Sequence, residues 1–141
     1  GYSEEWINQR LKTIDIRKEF TDELKEKGIS EAKDFAILTN ILTQAWSGHS
    51  VKEYKNLKGL KKENLRDNMT NMELVLNMLA ETSSTEISKS KNEKGFKEAQ
   101  DSVIEGGNIA RVAREQLERK TGKRVVSNKS VKEIRKLNSG K

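Results

Sequence analysis

The chain has 141 residues, of which 33% are hydrophobic and 35% are charged, and its formal net charge is +6. It contains no cysteine, which excludes disulfides, thiolate metal sites and cysteine nucleophiles and favours a cytoplasmic setting. Its longest nearly apolar run, residues 35–46, is shorter than the roughly 20 residues that a membrane-spanning helix needs. The composition therefore predicts one soluble domain with a modest apolar core.

The absence of proline, and apolar residues that recur at three- and four-residue spacing, predict helices throughout the chain. The first helix is predicted to begin after an N-cap at Ser3 and to end near Lys27, before Gly28. The apolar stripe of this long helix consists of Trp6, Ile7, Leu11, Ile14, Phe20 and Leu24.

The second helix is predicted to run from a Ser30 cap to a stop at Gly48. It is apolar around much of its circumference, which marks it as the central core element. His49, the only histidine, follows this stop, and a lone histidine in a polar turn is typical of a solvated residue. We therefore predict no catalytic residue, no metal site and no cofactor, and expect that the protein is not an enzyme.

Two capping boxes predict further helix starts. In such a box a hydroxyl and a carboxylate three residues apart satisfy free amides of the first turn. Ser50 with Glu53 predicts a short helix over residues 51–57, and Thr70 with Glu73 predicts a long one. The segment between the two boxes is rich in lysine.

The C-terminal third contains a "GGN" motif at residues 106–108 that is predicted to break a helix, because two adjacent glycines make a continuous helix costly. Asn108 would then cap a fresh helix that closes at Gly122. The sequence "KRVVS" at residues 123–127 is interpreted as a short extended connector. A third capping box, Ser130 with Glu133, predicts a small last helix after Ser130.

The predicted fold is all-α, a compact bundle of about five to seven helices with a long N-terminal helix and a basic C-terminal tail. Because the chain begins with Gly1 and not methionine, residues 1–127 are expected to be a helical C-terminal-type domain of a longer protein. Residues 128–141 would be a basic, partly flexible tail. Residues 119–141 contain nine Lys or Arg and one Glu.

Basic side chains are the candidate contacts. Residues 52–66 contain six Lys or Arg and two Glu. Such clusters attract phosphates through counterion release, but a solvated helix face has the same composition. The predicted nucleic-acid or partner contacts are Lys55, Lys58, Lys61, Lys62, Arg66, Arg111, Arg114, Arg119, Lys120, Lys123 and Arg124.

Three segments carry a family resemblance: "DFAILTNILTQAW", "YKNLKGLKKENLRDNMTNMELVLNMLAE" and "EGGNIARVAREQLERKTGKRVVS". They resemble the C-terminal region of the DNA-damage-inducible protein D family, including its prophage-encoded antirepressor-like relatives. In that family an N-terminal BRO-type domain, held to bind DNA, precedes a helical C-terminal part. The resemblance implies a bacterial protein of the DNA-damage (SOS) response, linked to the regulation of homologous recombination, and implies no catalytic residues.

These observations favour a noncatalytic regulatory or interaction module that contacts DNA, or a DNA-repair or recombination protein, through basic surfaces. The alternative is an oligomerisation domain that arranges a missing N-terminal DNA-binding domain, with the long first helix and an exposed Trp6 end as its seam. DNA, a recombination or repressor protein and a second copy of the chain remain open as partners. No membrane partner is predicted, and a nucleoid-associated location suits the first interpretation.

Overall fold

The structure, a computed structural model, describes residues 2–128, which form five α-helices and one short 3₁₀ helix. The α-helices are α1 (Glu4–Glu26), α2 (Ala32–Ser47), α3 (Val51–Leu57), α4 (Asn71–Lys89) and α5 (Phe96–Thr121), and the 3₁₀ helix is Arg66–Asn68. Residues 2–128 contain no strand, so the all-α prediction is confirmed. The helix predicted after Ser130 lies outside the described residues.

Local signals placed most helix ends correctly. The Ser3 side chain accepts a hydrogen bond from the Trp6 amide, and the two capping boxes predicted within residues 2–128 both form. Gly48 and Gly122 end α2 and α5 in the left-handed conformation, with φ of 82° and 70°. The start of α2 was predicted one residue too early: Glu31, not Ser30, is at the N-cap, and its side chain makes no capping bond.

The centre of the bundle is α4, which packs against α1 and α5 and also contacts α2. Its buried residues include Leu74, Leu76 and Ala80, but also Ser84 and Thr85. The prediction that α2 would be the central element was therefore wrong. The sequence did not mark α4 as central because much of its buried face is polar. The fully buried side chains of α2 (Leu38, Leu42 and Trp46) form one wall of the core around it.

The glycine pair does not break a helix, and the prediction of a corner capped by Asn108 is wrong. α5 continues through Gly106 and Gly107, both buried. A Cβ atom at Gly106 would lie 2.1 Å from Ser84 Oγ and 2.4 Å from the Ser84 amide nitrogen; one at Gly107 would lie 2.5 Å from Ala45 Cβ. The missing side chains let α5 approach α4 on one side and α2 on the other.

The apolar residues of α1 divide between two faces. Trp6, Phe20 and Leu24 are buried, whereas Ile7, Leu11 and Ile14 are 43%, 57% and 50% exposed. The prediction of one stripe was therefore wrong, because these positions span more of the helix circumference than α4 covers. The expected exposure of Trp6 was also wrong: its indole Nε1 donates to the Met69 carbonyl at 2.9 Å.

Replacing Gly106 by alanine tests the close approach of α5. We expect Gly106→Ala to lower the free energy of unfolding by about 1–3 kcal/mol, because the added methyl group meets the Ser84 backbone. In an open helix the same change would raise it by about 1 kcal/mol. Chemical denaturation followed by circular dichroism measures the difference.

A paired variant supplies the control for this experiment. Gly107→Ala should also destabilise the bundle, and Ala45→Gly should relieve much of that loss, since the nearest atom is the Ala45 methyl carbon. Stabilisation by both single alanine variants would contradict the crossing described above.

Candidate functional site

Lys58, a predicted surface contact, lies in the interior. Its side chain is fully buried, and its Nζ donates to Glu73 at 2.9 Å. The Glu73 carboxylate also accepts hydrogen bonds from the Tyr54 hydroxyl, the Thr70 amide and the Ser127 amide. Burial, and then the charge of Glu73, raises the pKa of the Tyr54 phenol far above its ordinary value. Lys58 therefore neutralises a buried acid and is removed from the contact surface.

Arg66, a second predicted contact, is also turned inward. Its guanidinium forms an ion pair with the fully buried Glu81, and only 16% of its side chain is exposed. Arg17 reaches the same carboxylate from α1 at 3.3 Å and donates to the Thr39 hydroxyl at 2.6 Å. Burial, followed by the charge of Arg66, lowers the pKa of Arg17. This cluster joins α1, α2, the 3₁₀ helix and α4, so its role is structural.

Three lysines converge at the surface between α2 and α3. Lys52, Lys55 and Lys61 line a cleft of about 520 Å³ that is completed by Asn40, Val51, Asn56 and Leu60; we call this the lysine cleft. None of the three lysines forms an ion pair with any residue between 2 and 128. The Asn40 side chain accepts from the Val51 amide at 2.8 Å, which fixes α3 against α2.

The turn beside the lysine cleft holds one carboxylate. Glu63 accepts hydrogen bonds from the amides of Lys61 and Lys62, at 2.8 and 3.0 Å. These backbone donors, and more weakly the charge of Lys55, lower the pKa of Glu63. The Lys62 side chain is exposed. The turn thus keeps a surplus of positive charge at the surface.

A second cleft, on the other side of α3, contains two of the predicted arginines. Arg114 and Arg124 line a cavity of about 760 Å³; we call it the arginine cleft, and its other lining residues are Ser47, Gly48, His49, Leu57, Glu118, Val126, Ser127 and Asn128. Arg114 donates to the Trp46 carbonyl at 2.8 Å and to Glu118 at 2.9 Å. Residues 123–127 are irregular rather than extended, and three of them, Arg124, Val126 and Ser127, form one wall.

The remaining predicted contacts do not join either cleft. Arg111 forms an ion pair with Glu115 at 3.1 Å. Arg119 and Lys120 lie exposed near the end of α5, and Lys123 is exposed beyond it. Apart from Lys58 and Arg66, which turn inward, the predicted basic residues are therefore divided between two clefts and other surface positions.

Sequence reasoning missed some members of these sites. Lys52 was left out of the predicted contacts although it lies one turn before Lys55 on α3, a spacing that could have indicated a shared face. Asn40 and His49 gave no such signal, because only the packing of α2 against its neighbours brings them to the clefts. Within residues 2–128 the structure shows no cluster of three metal-ligating side chains and no helix long and apolar enough to cross a membrane.

Comparison with family models identifies the chain. A model of the DinD C-terminal domain matches residues 4–134. The chain belongs to this family. Comparisons with curated proteins and with solved structures give no match. The predicted relationship to the C-terminal region of a DNA-damage-inducible protein is therefore confirmed, and the DinD match includes both clefts.

The role assigned to Lys58 in this DinD domain can be tested by stability. Lys58→Met should cost about 3–5 kcal/mol of unfolding free energy, because it leaves the Glu73 carboxylate buried without its cation. Lys61→Met, which removes an exposed ammonium group of the same turn, should change it by less than about 0.5 kcal/mol. Equal, small effects in chemical denaturation would show that Lys58 is solvated after all.

Proposed function

We propose that this domain is a noncatalytic regulatory module that contacts DNA through the lysine cleft. The single observation that carries the proposal is that Lys52, Lys55 and Lys61 line one cleft and form no ion pair with residues 2–128. If the partner is a protein, we propose a repressor or recombination protein that presents acidic groups to the same lysines. An antirepressor encoded by a prophage would bind its repressor in this way. The proposed location is the bacterial cytoplasm.

Charge supports a polyanion as the ligand of the lysine cleft. Some other lysines of the domain form ion pairs, as in Lys18 with Asp22 and Lys91 with Glu105. The ammonium groups of the cleft remain available, and flexible lysines bind phosphates as point charges without demanding one geometry. Each phosphate contact also releases condensed counterions. The cleft is therefore suited to a DNA backbone and not to reading base sequence.

The buried acids support the noncatalytic part of the proposal. Hydrolytic chemistry on DNA would call for carboxylates that face solvent and bind metal ions. Glu23, Glu73 and Glu81 are buried, and each already accepts hydrogen bonds from a cationic side chain. These acids serve the interior of the bundle.

Salt dependence tests DNA contact. The domain should bind duplex DNA at low salt, and its affinity should fall steeply as salt rises. Replacing Lys52, Lys55 and Lys61 together by glutamine should reduce the slope of log K against log salt by about 2–3, since each lost phosphate contact removes about 0.9. Fluorescence anisotropy with a labelled duplex measures both quantities.

A triple variant of equal charge is the control. Lys12, Lys94 and Lys97 are exposed on other parts of the domain, and their replacement by glutamine lowers the net charge by the same amount. It should leave the slope nearly unchanged. Equal losses in the two triple variants, or no binding by the parent protein at low salt, would reject the lysine cleft as the DNA contact.

A second candidate function, oligomerisation, is favoured by α1. Its exposed residues Ile7, Leu11 and Ile14 follow the four- and three-residue spacing of a coiled-coil seam. We propose as the alternative that two copies of α1 pair along this seam. Such pairing would set the spacing of DNA-binding domains attached to the module.

A charge placed in the seam tests this alternative. Leu11→Lys should weaken self-association by about 100-fold or more, because burying a leucine contributes about 1.5–3 kcal/mol and a symmetric seam buries two. Ile104→Lys, at an exposed position of α5, should have no such effect. Light scattering over a range of concentrations gives the mass, and a parent protein that stays monomeric throughout would exclude the seam.

A further inference from the structure

The arginine cleft differs in chemistry from the lysine cleft. It combines an exposed cation, Arg124, with the apolar side chain of Leu57, which is 43% exposed, and with Val126, which is half-buried. A leucine that faces a concave, solvent-filled space offers nothing to a phosphate. It does offer contact area to an apolar side chain.

The positive charge of the cleft is not cancelled within the described part of the chain. The Glu118 carboxylate is occupied by Arg114 at 2.9 Å and by the Val125 amide at 3.0 Å. Arg124 forms no ion pair with residues 2–128, and it faces the same space. An incoming carboxylate would therefore meet an unpaired guanidinium, which binds carboxylates in a planar, bidentate manner.

The walls of the cleft are held in place before any ligand arrives. Arg114 ties α5 to the end of α2 through the Trp46 carbonyl, and the Ser127 amide donates to the buried Glu73 at 3.1 Å. The cavity of about 760 Å³ is within the size range of ligand sites. Preorganised walls reduce the ordering that binding requires.

We infer that the arginine cleft is a docking site for an acidic segment of a protein partner, which places a carboxylate at Arg124 and an adjacent apolar side chain against Leu57 and Val126. The inference rests on the proposal that this domain is an interaction module, but not on DNA binding by the lysine cleft. Single-stranded nucleic acid is the less suitable occupant. Stacking of bases favours exposed Phe, Tyr or Trp rings, and the described residues that line the cleft include none of these; its ring for stacking is the imidazole of His49 alone.

The test uses a fluorescein-labelled peptide, Gly-Asp-Asp-Leu-Phe-Asp-Gly, and two matched peptides. In one the aspartates are replaced by asparagine, and in the other the leucine and phenylalanine are replaced by serine. We expect the first peptide to bind and both matched peptides to bind at least about fivefold more weakly. Amide NMR shifts should change at Gly48 and Val126, which line the cleft, and not at Gly95. Absence of binding by the first peptide, or shift changes that avoid the cleft, would overturn the inference.

Charge reversal at adjacent positions supplies the matched control. Arg124→Glu should weaken peptide binding by about tenfold, and Leu57→Ser should weaken it to a similar degree. Lys123→Glu makes the same charge change one residue away, outside the cleft lining, and should cost less than about twofold. Equal losses of peptide affinity from Arg124→Glu and Lys123→Glu would show that the peptide responds only to the overall charge of the domain. That result would reject the docking site.

A DNA competition separates this inference from the proposed function. Duplex DNA should leave peptide binding in place, while the triple lysine variant should lose DNA binding and keep peptide binding. If single-stranded DNA displaces the peptide and shifts Gly48 and Val126, the cleft belongs to nucleic acid and the inference fails. Failure of the parent protein to bind DNA would overturn the lysine cleft as the DNA contact and leave the docking site standing.

Discussion

The fold depends on the neutralisation of two acids that α4 carries into the core. Glu73 and Glu81 are both fully buried. Their cations, Lys58, Arg66 and Arg17, come from elements outside α4. An unpaired buried carboxylate costs several kcal/mol, so α4 can be buried only when these elements surround it. Charge, as much as apolar contact, therefore positions the segment between α3 and α4.

The same requirement sorts the basic residues into two kinds. Those that reach α4 form ion pairs with its acids, and they include Lys58 and Arg66, both of which were predicted as contacts. Lys55 and Lys61, from the same lysine-rich segment, line the lysine cleft instead. On the other side of α3, the close crossing at Gly107 brings α5 to α2, so that Arg114 can bond the Trp46 carbonyl and shape the arginine cleft. One arrangement of helices thus determines both which basic residues are buried in ion pairs and which line the two clefts.

Short-range signals were dependable. The capping boxes at Ser50 and Thr70 formed because their partners lie three residues away, on the same turn. The predictions that failed concern residues whose structural role depends on contacts with residues far away in the chain. Gly106 weakens a helix by itself, but it is required where α4 passes too close for a side chain. In the same way, a lysine spacing indicates a shared face without saying whether that face looks outward.

By itself the sequence determined the all-α class, most of the helix ends and the DinD family, because these follow from periodicity, local hydrogen bonding and shared sequence segments. Only the tertiary structure decided that α5 is continuous, that Lys58 is buried and that Arg66 pairs with the buried Glu81. The physical reason is that burial and charge compensation depend on contacts between residues far apart in the chain. Such contacts leave no periodic or local trace in the sequence.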